Sequence, residues 1–349
     1  MISLCMIVKN EECTLEKCLK RVSEFVDEII IVDTGSTDNT NKIALKYTDK
    51  VYGFEWCDDF AKARNFSIKK ASNDWILILD SDEVIEKFDV EKIKKNCISS
   101  NNIVGRIKRI NEYEDMYGTK KYVERVNRLF NRCYFEYEGI IHEQIVSKNK
   151  LTYETNEVDI CVNHIGYSKE VVNRTNKIQR NIELLRLAIK TNSEDPYLYY
   201  QLGKSYFMKK KYEIAVVQFE KAIRLMDNFC FEYVEDLIES YGYSLVNLNI
   251  FDKSLCLYDY EKYYCNSPDF IFLLGIVEMN NGNFQKSAEI FLKCTQFKQG
   301  KTEGITTFLP LYNIGVIFEC LGMYEYAIDY YRQCEEYPLA VNRINNIIG

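Results

Sequence analysis

The run Trp75-Ile76-Leu77-Ile78-Leu79, followed at once by Asp80-Ser81-Asp82, decides the fold of this chain. Five apolar residues that stop at paired carboxylates predict a buried parallel strand. The carboxyl end of such a strand lies at the sheet edge where open α/β sheets bind ligands. Carboxylates in that position are costly unless a cation shares them. A hard divalent ion, completed by the phosphates of a substrate, is the natural partner, so the run predicts a site for both.

The residues before this run alternate strand and helix patterns. The predicted strands cover residues 2–8, 28–33, 51–56 and 75–79, with helical periodicity between them. Alternation of this kind is typical of βαβ units and of a mostly parallel, Rossmann-like sheet. Two further strands, at 103–110 and 122–130, carry many basic side chains. A more irregular stretch then continues to about residue 170.

From residue 170 onward almost every segment has helical periodicity, and an internal repeat is present. Its copies share a glycine that is followed twelve positions later by a small residue. The pairs are Gly203 with Ala215, Gly242 with Ser254, Gly275 with Ser287, and Gly315 with Ala327. Small residues at this spacing let paired helices approach closely, and a generic helical bundle would not repeat it four times. The spacing resembles that of tetratricopeptide repeats and predicts an all-α solenoid.

Composition argues against several classes of protein. The chain has 349 residues and a formal net charge of −7, whereas a dedicated nucleic-acid-binding protein is normally basic. Its 13 cysteines include no Cys-x-x-Cys pair, which disfavours a zinc site or a disulfide framework. Reduced thiols in a cytoplasmic protein fit better. No stretch reaches the ~18 apolar residues of a membrane span, and no signal peptide is indicated.

A second loop with functional potential follows the strand that ends at Asp33. The segment Val32-Asp33-Thr34-Gly35-Ser36-Thr37-Asp38 predicts a strand, a turn and a helix capped by Ser36 or Thr37. The Asp33 carboxylate could accept the imide N–H of a uracil ring, or it could only cap the turn. Because Asp80 ends a second strand at the same edge, the nucleotide-binding alternative is favoured.

Four motifs in this order resemble those of family-2 glycosyltransferases with a GT-A fold. They are Val8-Lys9-Asn10-Glu11-Glu12, the Val32–Asp38 segment, Asp58-Asp59-Phe60-Ala61-Lys62-Ala63-Arg64-Asn65, and Asp80-Ser81-Asp82. With its helical repeats, the chain is most similar to bacterial protein and peptide glycosyltransferases, including those that modify bacteriocin cysteines or flagellin. The expected architecture is a GT-A catalytic domain over residues 1–170, a helical linker over 171–195 and a tetratricopeptide-repeat domain over 196–349.

The resemblance implies roles for individual residues. Those expected to bind the nucleotide sugar are Val8, Asn10, Asp33, Arg64, Asp80 and Ser81. Arg64 would lie near the nucleotide or its phosphates, unless it is a surface arginine paired with Asp58 or Asp59. Asp82 would be the direct ligand of Mn²⁺ or Mg²⁺, with Asp80 holding the ribose or the metal through water. The ion would act as a Lewis acid on the departing diphosphate.

The chain has only two histidines, and both lie in segments similar to those of the same branch. Gly139-Ile140-Ile141-His142-Glu143 resembles a Gly-x-x-His-Glu segment, in which Glu143 would be the general base, with His142 next in line. Val162-Asn163-His164-Ile165-Gly166-Tyr167 resembles a later His-x-Gly-Tyr segment, and its histidine would complete the metal shell. The other interpretation of either histidine is a buried, hydrogen-bonded residue without a catalytic role.

A group of basic residues follows the acidic motif and has two interpretations. These side chains would either meet the acceptor or the diphosphate, or form a solvated strand face, which is the commoner outcome. They are Lys120, Lys121, Arg125, Arg128 and Arg132.

The resemblance thus implies an inverting, metal-dependent transfer of a sugar from a nucleotide donor, UDP-Glc or UDP-GlcNAc. The acceptor would be a Ser, Thr or Cys side chain of a flagellin- or bacteriocin-like protein, bound by the repeats. One alternative acceptor is an envelope glycan or lipid-linked sugar. Another alternative is an inactive, repeat-based interaction protein, which the paired carboxylates disfavour. The oligomeric state stays open, with a homodimer as one option.

Overall fold

The computed structural model describes residues 1–93, 102–115, 118–164 and 177–349, without the side chains of residues 112–120 and 177. The chain divides into two compact units. The N-terminal unit comprises Met1–Glu114 and Thr119–Lys177, and the C-terminal unit comprises Asp115–Gly118 and Ile178–Gly349. The domain boundary expected at residue 170 lies outside the described residues and stays a prediction.

The described part of the N-terminal unit contains ten strands and four helices. The strands are β1 (Ile2–Val8), β2 (Glu28–Asp33), β3 (Val51–Gly53), β4 (Trp75–Ile78), β5 (Glu83–Phe88), β6 (Ile103–Asp115), β7 (Gly118–Asn131), β8 (Phe135–Glu138), β9 (Gln144–Ser147) and β10 (Glu154–His164). The helices are α1 (Leu15–Val22), α2 (Thr40–Ala44), α3 (Phe60–Lys70) and α4 (Val90–Ile93).

Eight of these strands form one curled sheet in the order β3-β2-β1-β4-β7-β6-β10-β5. Parallel pairing joins β1 to β2 and β4, β2 to β3, and β6 to β10. The pairs β4–β7 and β5–β10 are antiparallel, and β8 with β9 forms a separate hairpin. The predicted, mostly parallel GT-A-type sheet is confirmed.

Continuous apolar strands arise here because the central sheet is covered on both faces. Leu77 of β4 packs into a cluster with Leu15 and Leu19 of α1. Ile76 and Ile78 of the same strand pack on the opposite face, in a cluster that includes Ala61 and Ile68 of α3. Since β1, β2 and β4 are parallel, their carboxyl ends reach the same edge. Val8, Asp33 and Asp80 therefore lie at or just beyond neighbouring strand ends.

The C-terminal unit is helical. Its elements are α5 (Lys177–Thr191), α6 (Pro196–Met208), α7 (Tyr212–Leu225), α8 (Glu232–Asn247), α9 (Phe251–Ser254), a 3₁₀ helix (Leu255–Tyr260), α10 (Glu261–Tyr264), α11 (Pro268–Asn280), α12 (Phe284–Cys294), α13 (Phe308–Cys320), α14 (Tyr324–Arg332) and α15 (Pro338–Ile348). The helix pairs α6–α7, α11–α12 and α13–α14 form three regular repeats. The copy that starts at α8 has an interrupted second helix, which matches its degraded sequence.

The repeat spacing has a steric cause. A Cβ atom added at Gly203 would lie 2.4 Å from the ring of Phe219, and one at Gly315 would lie 2.5 Å from the ring of Tyr331. The small residue twelve positions after each repeat glycine is fully buried in all four copies. The glycine and the small residue thus allow close packing of each helix pair. No helix in the described part of the chain is long and apolar enough to cross a membrane.

Candidate active site

The loops that follow β1 and β2 are joined by hydrogen bonds. Thr34 N donates to Val8 O at 2.9 Å, Asn10 N donates to Ser36 Oγ at 2.9 Å, and Thr37 N donates to Asn10 Oδ1 at 2.8 Å. Asn10 has a left-handed backbone with φ of 57°, which asparagine tolerates better than most residues. Val8 and Asn10 therefore fix the loop that carries Asp33.

The Asp33 carboxylate caps its own turn. Its oxygens accept hydrogen bonds from Ser36 N at 3.0 and 3.2 Å, from Ser36 Oγ at 2.5 Å and from Asn41 Nδ2 at 2.8 Å. These contacts are those of the turn-capping alternative. The role of Asp33 in reading the nucleotide base stays a prediction.

Arg64 joins two of the predicted site residues. It lies on α3, which begins after the N-cap residue Asp59, whose side chain accepts a hydrogen bond from Lys62 N. Arg64 Nη2 lies 2.9 Å from Asp80 Oδ1, and Arg64 Nε lies 2.5 Å from Glu143 Oε1. Arg64 is buried. The alternative of a surface arginine paired with Asp58 or Asp59 is therefore wrong.

Asn65 and Phe60, in the same motif as Arg64, have structural contacts. The Asn65 side chain donates to Tyr137 O at 2.8 Å and accepts from Tyr137 N at 2.9 Å. Phe60 N also donates to Ile140 O at 2.9 Å. Asn65 and Phe60 thus attach α3 to β8 and to the loop after it, which ends at Glu143.

The loop that carries Glu143 has two left-handed residues. Gly139 has φ of 102° and His142 has φ of 50°. A Cβ atom at Gly139 would make only an ordinary contact, 3.4 Å from the Cα of Glu143, so the positive φ and not the available space favours glycine there. The bend directs Glu143 towards Arg64. The acid–base roles of Glu143 and His142 stay predictions.

Arg128 is a second guanidinium of the site. Its Nη2 lies 2.7 Å from Asp80 Oδ2 and 2.8 Å from Glu83 Oε1, and only 7% of the residue is exposed. Glu83 is fully buried, pairs with Arg109 at 3.0 Å, and accepts a hydrogen bond from Asp80 N at 3.0 Å. The solvated-face interpretation is therefore wrong for Arg128.

The other basic residues predicted together with Arg128 have no ion pair with Asp80 among the described contacts. Arg125 pairs with Glu157 at 2.8 Å, and Arg132 donates to Ala71 O at 2.6 Å. Lys121 is exposed. The side chain of Lys120 lies outside the described residues.

The charges around Asp80 keep it ionised. Burial raises the pKa of the Asp80 carboxyl, but the guanidinium groups of Arg128 and Arg64 outweigh burial and hold that pKa well below its usual range. Burial likewise raises the pKa of the Tyr137 hydroxyl, to about 12, although Arg64 and Arg128 oppose it. Asp80 is therefore an ionised carboxylate whose two oxygens each form an ion pair, one with Arg64 and one with Arg128.

Asp82 lies next to the late histidine. Asp82 Oδ2 is 3.3 Å from His164 Nε2, and both residues are buried. Ser81, in the turn between the two aspartates, is also buried. Within the described ranges, no three His, Cys, Asp or Glu side chains are grouped so as to hold a metal ion. One carboxylate and one imidazole nevertheless suit an ion whose remaining ligands are substrate phosphates and water. Ile165, Gly166 and Tyr167 lie outside the described residues.

Comparison with known proteins identifies both halves of the chain. Residues 3–173 match the model of glycosyl transferase family 2, and residues 196–227 match a tetratricopeptide repeat. The N-terminal half belongs to glycosyl transferase family 2. The predicted combination of this family with tetratricopeptide repeats is confirmed.

Three relatives illustrate the range of similar proteins. A TPR repeat-containing protein of Synechococcus elongatus is 32% identical over 58% of this chain and 51% of its own length. The SPbeta prophage-derived glycosyltransferase SunS of Bacillus subtilis is 29% identical over 64% and 53%. The lipopolysaccharide core biosynthesis glycosyltransferase LpsC of Rhizobium meliloti is 32% identical over 30% and 40%. The chain spans about half the length of the first two relatives.

The domain also contains four residues at the site that were not predicted from the sequence, Glu83, Arg109, Asn111 and Glu124. Together with Arg128 they connect Asp80 to His164 through ion pairs and hydrogen bonds. The sequence contained a weak indication that some of these side chains share a face of a strand. The alternation of strand side chains places Glu124 and Arg128 on one face of β7, and Arg109 and Asn111 on one face of β6.

Proposed function

We propose that this protein transfers a sugar, with inversion, from a UDP-sugar to a side chain of a protein or peptide. The observation that carries the proposal is the position of Arg64. It joins Asp80, at the carboxyl edge of the sheet, to Glu143, in the loop beyond β8. The Arg64 guanidinium thus contacts both the candidate base, Glu143, and the acidic motif at Asp80, within a family-2 domain.

On the donor side, positive charge and an ion would face the diphosphate. Asp82 and His164 would hold Mn²⁺ or Mg²⁺, and glycosyltransferases of this family generally use a divalent ion. When bound there, the ion supplies Lewis-acid stabilisation of the departing diphosphate. Arg64 and Arg128 add two guanidinium groups, whose planar forks suit phosphate oxygens. Asp33, Val8 and Asn10 would shape the pocket for the base.

On the acceptor side, Glu143 would remove the proton of the attacking hydroxyl. The acceptor oxygen forms a bond to the anomeric carbon while the bond from that carbon to the diphosphate breaks. The attack comes from the opposite face, and the proton passes to the carboxylate. A base in this role contributes roughly 10²- to 10⁴-fold to the rate. A cysteine acceptor needs it less, because a thiol loses its proton more readily than a hydroxyl.

The repeats would bind the acceptor. Stacked helical repeats create extended surfaces that suit a peptide segment. Similarity to SunS over 64% of this chain supports a protein or peptide acceptor. Similarity to LpsC favours a second candidate, transfer to an envelope glycan. A cytoplasmic location belongs to the same proposal.

The experiment measures UDP release and sugar transfer by the full-length protein with UDP-Glc and UDP-GlcNAc. We expect UDP release that needs Mn²⁺ or Mg²⁺ and stops with EDTA. Glu143→Gln should lower transfer to a Ser or Thr acceptor by about 10²- to 10⁴-fold while UDP affinity is kept. The matched control is Glu138→Gln, because Glu138 is an exposed carboxylate five positions earlier, paired with Lys150.

Two results would contradict this assignment. Unchanged transfer by Glu143→Gln would remove Glu143 from the role of base and make His142 the next candidate. An absence of UDP release with every nucleotide sugar tested would favour the inactive interaction protein.

A further inference from the structure

The imidazole ring of His164 is held at both nitrogen atoms. Nδ1 lies 2.7 Å from Asn111 Oδ1, and Nε2 lies 3.3 Å from Asp82 Oδ2. Asn111 is on β6 and is 4% exposed, and His164 ends β10 and is 6% exposed. The pairing of β6 with β10 places His164 directly opposite Asn111 in the sheet. The strand pairing therefore fixes the position of the ring.

The orientation of the Asn111 amide follows from its second contact. Asn111 Nδ2 lies 2.5 Å from Glu124 Oε1. A carboxylate oxygen only accepts hydrogen bonds, so the amide nitrogen must face Glu124 and the amide oxygen must face His164. Glu124 is held in turn by Arg109, whose Nε and Nη2 lie 3.1 and 2.9 Å from the same oxygen.

This orientation decides which nitrogen of His164 carries its proton. Because Asn111 Oδ1 is an acceptor, His164 Nδ1 must donate to it. In the neutral ring the lone pair then lies on Nε2, which faces Asp82. A nitrogen lone pair and a carboxylate oxygen repel one another unless a cation lies between them. Histidines that bind metals commonly donate their other N–H to an oxygen in this way.

The distance between these atoms suits two ligands of one ion. Two atoms that each lie about 2.1 Å from a common ion are about 3 Å apart when they meet at right angles. The separation of 3.3 Å between Asp82 Oδ2 and His164 Nε2 is close to that value. Asp80 is placed differently, since its two oxygens lie 2.9 and 2.7 Å from Arg64 and Arg128.

We propose that Asn111 and Glu124 are positioning residues, which hold His164 with Nε2 towards Asp82. Asp82 and His164 are the ligands already proposed above for the divalent ion, and the new element is that Asn111 and Glu124 orient the second of them. The inference rests on the proposed function, because the ion is the one that would face the donor diphosphate. A proton on Nε2, forming an ion pair with Asp82, is the rival explanation of the same geometry.

The experiment uses the full-length protein with Mn²⁺ as the probe, in the presence of UDP. Loss of the electron paramagnetic resonance signal of free Mn²⁺ measures affinity. Spin-echo spectroscopy of the bound ion detects coupling to a ¹⁴N ligand, which His164 would supply. We expect this coupling in the wild type. Asn111→Leu should remove the coupling and weaken Mn²⁺ affinity about 10- to 100-fold.

A rescue variant separates positioning from a structural role. Combining Asn111→Asp with Glu124→Gln exchanges the amide and the carboxylate, so that an acceptor still faces His164 Nδ1 and a donor still joins the pair. This variant should recover most of the affinity and the ¹⁴N coupling. The matched control is Asn163→Leu, because Asn163 precedes His164 on β10 and its side chain bonds to Glu86. The control should leave both readouts unchanged.

The possible results separate the ligand assignment, the positioning role and the proposed function. Bound Mn²⁺ without ¹⁴N coupling in the wild type would overturn the ligand assignment and favour the proton-bridged pair. Unchanged affinity and coupling in Asn111→Leu, or failure of the rescue variant in a folded protein, would overturn the positioning role. UDP release from a UDP-sugar, measured in parallel, tests the proposed function separately. Mn²⁺-dependent release without ¹⁴N coupling of the bound ion would reject the inference alone, and bound Mn²⁺ with ¹⁴N coupling but without release would reject the function alone.

Discussion

Replacing Arg128 by methionine tests the buried charge network most directly. Arg128 Nη2 lies 2.7 Å from Asp80 and 2.8 Å from Glu83, and Glu83 is 0% exposed. Methionine keeps much of the aliphatic packing of the arginine stem but removes the charge. Loss of one partner from a buried ion pair costs about 3–5 kcal/mol, because it leaves an uncompensated charge. Arg109 still pairs with Glu83, and Arg64 with Asp80. We therefore expect the lower value, about 3 kcal/mol.

Tryptophan fluorescence during urea unfolding is the appropriate assay. The chain has two tryptophans, Trp56 and Trp75, and both lie in the N-terminal unit. Their signal therefore reports the unfolding of the unit that contains Arg128. Urea is preferred to guanidinium chloride because it does not screen ion pairs.

The matched control is Arg125→Met on the same strand. Arg125 pairs with Glu157, which is 65% exposed, so its loss should cost less than about 1 kcal/mol. Adding Glu83→Gln to Arg128→Met should restore part of the stability, because the unpaired buried charge is removed. The reasoning is refuted if Arg128→Met destabilises the unit no more than Arg125→Met does.

Two further predictions concern acid sensitivity and repeat packing. Burial raises the pKa of the Glu28 carboxyl, but hydrogen bonds from Lys50, Ser3 and Ser72 outweigh burial and lower this pKa from 4.5 to about 2. The ionised Glu28 carboxylate therefore stabilises the fold above pH 4.5, and this stabilisation is lost as the pH falls towards 2. Glu28→Gln should therefore cost about 1–2 kcal/mol at neutral pH, because solvent screens part of this stabilisation. The difference in tryptophan-monitored unfolding free energy should shrink on acidification, and a constant difference would contradict the assignment. Gly203→Ala should cost about 1–3 kcal/mol, because its Cβ would lie 2.4 Å from the Phe219 ring. Far-ultraviolet circular dichroism should detect this loss in the helical repeats, whereas Gly53→Ala, with nothing within 4 Å, should be close to neutral.

Local patterns in the sequence were sufficient for the first strands and for the repeats, but not for β8, β9 and β10, which lie in a stretch predicted to be irregular. The predicted strands at 2–8 and 28–33 coincide with β1 and β2, because apolar runs covered on both faces have a clear period and clear ends. The repeat glycines were identifiable because close helix packing imposes one spacing on every copy. The turn contacts of Asp33 with Ser36 are also local, three residues apart, and the sequence offered them as one of two alternatives.

The partners of the charged residues were decided only by the tertiary structure. Arg64 meets Glu143 across 79 positions, and Asn111 meets His164 across 53. Both contacts depend on the packing and order of elements that are distant in sequence. Arg128 is the sharpest case, because β7 pairs antiparallel with β4, bringing Leu129 opposite Leu77 and Arg128 within reach of Asp80. A local pattern fixes the face on which a side chain lies, but the strand order decides which charge it meets there.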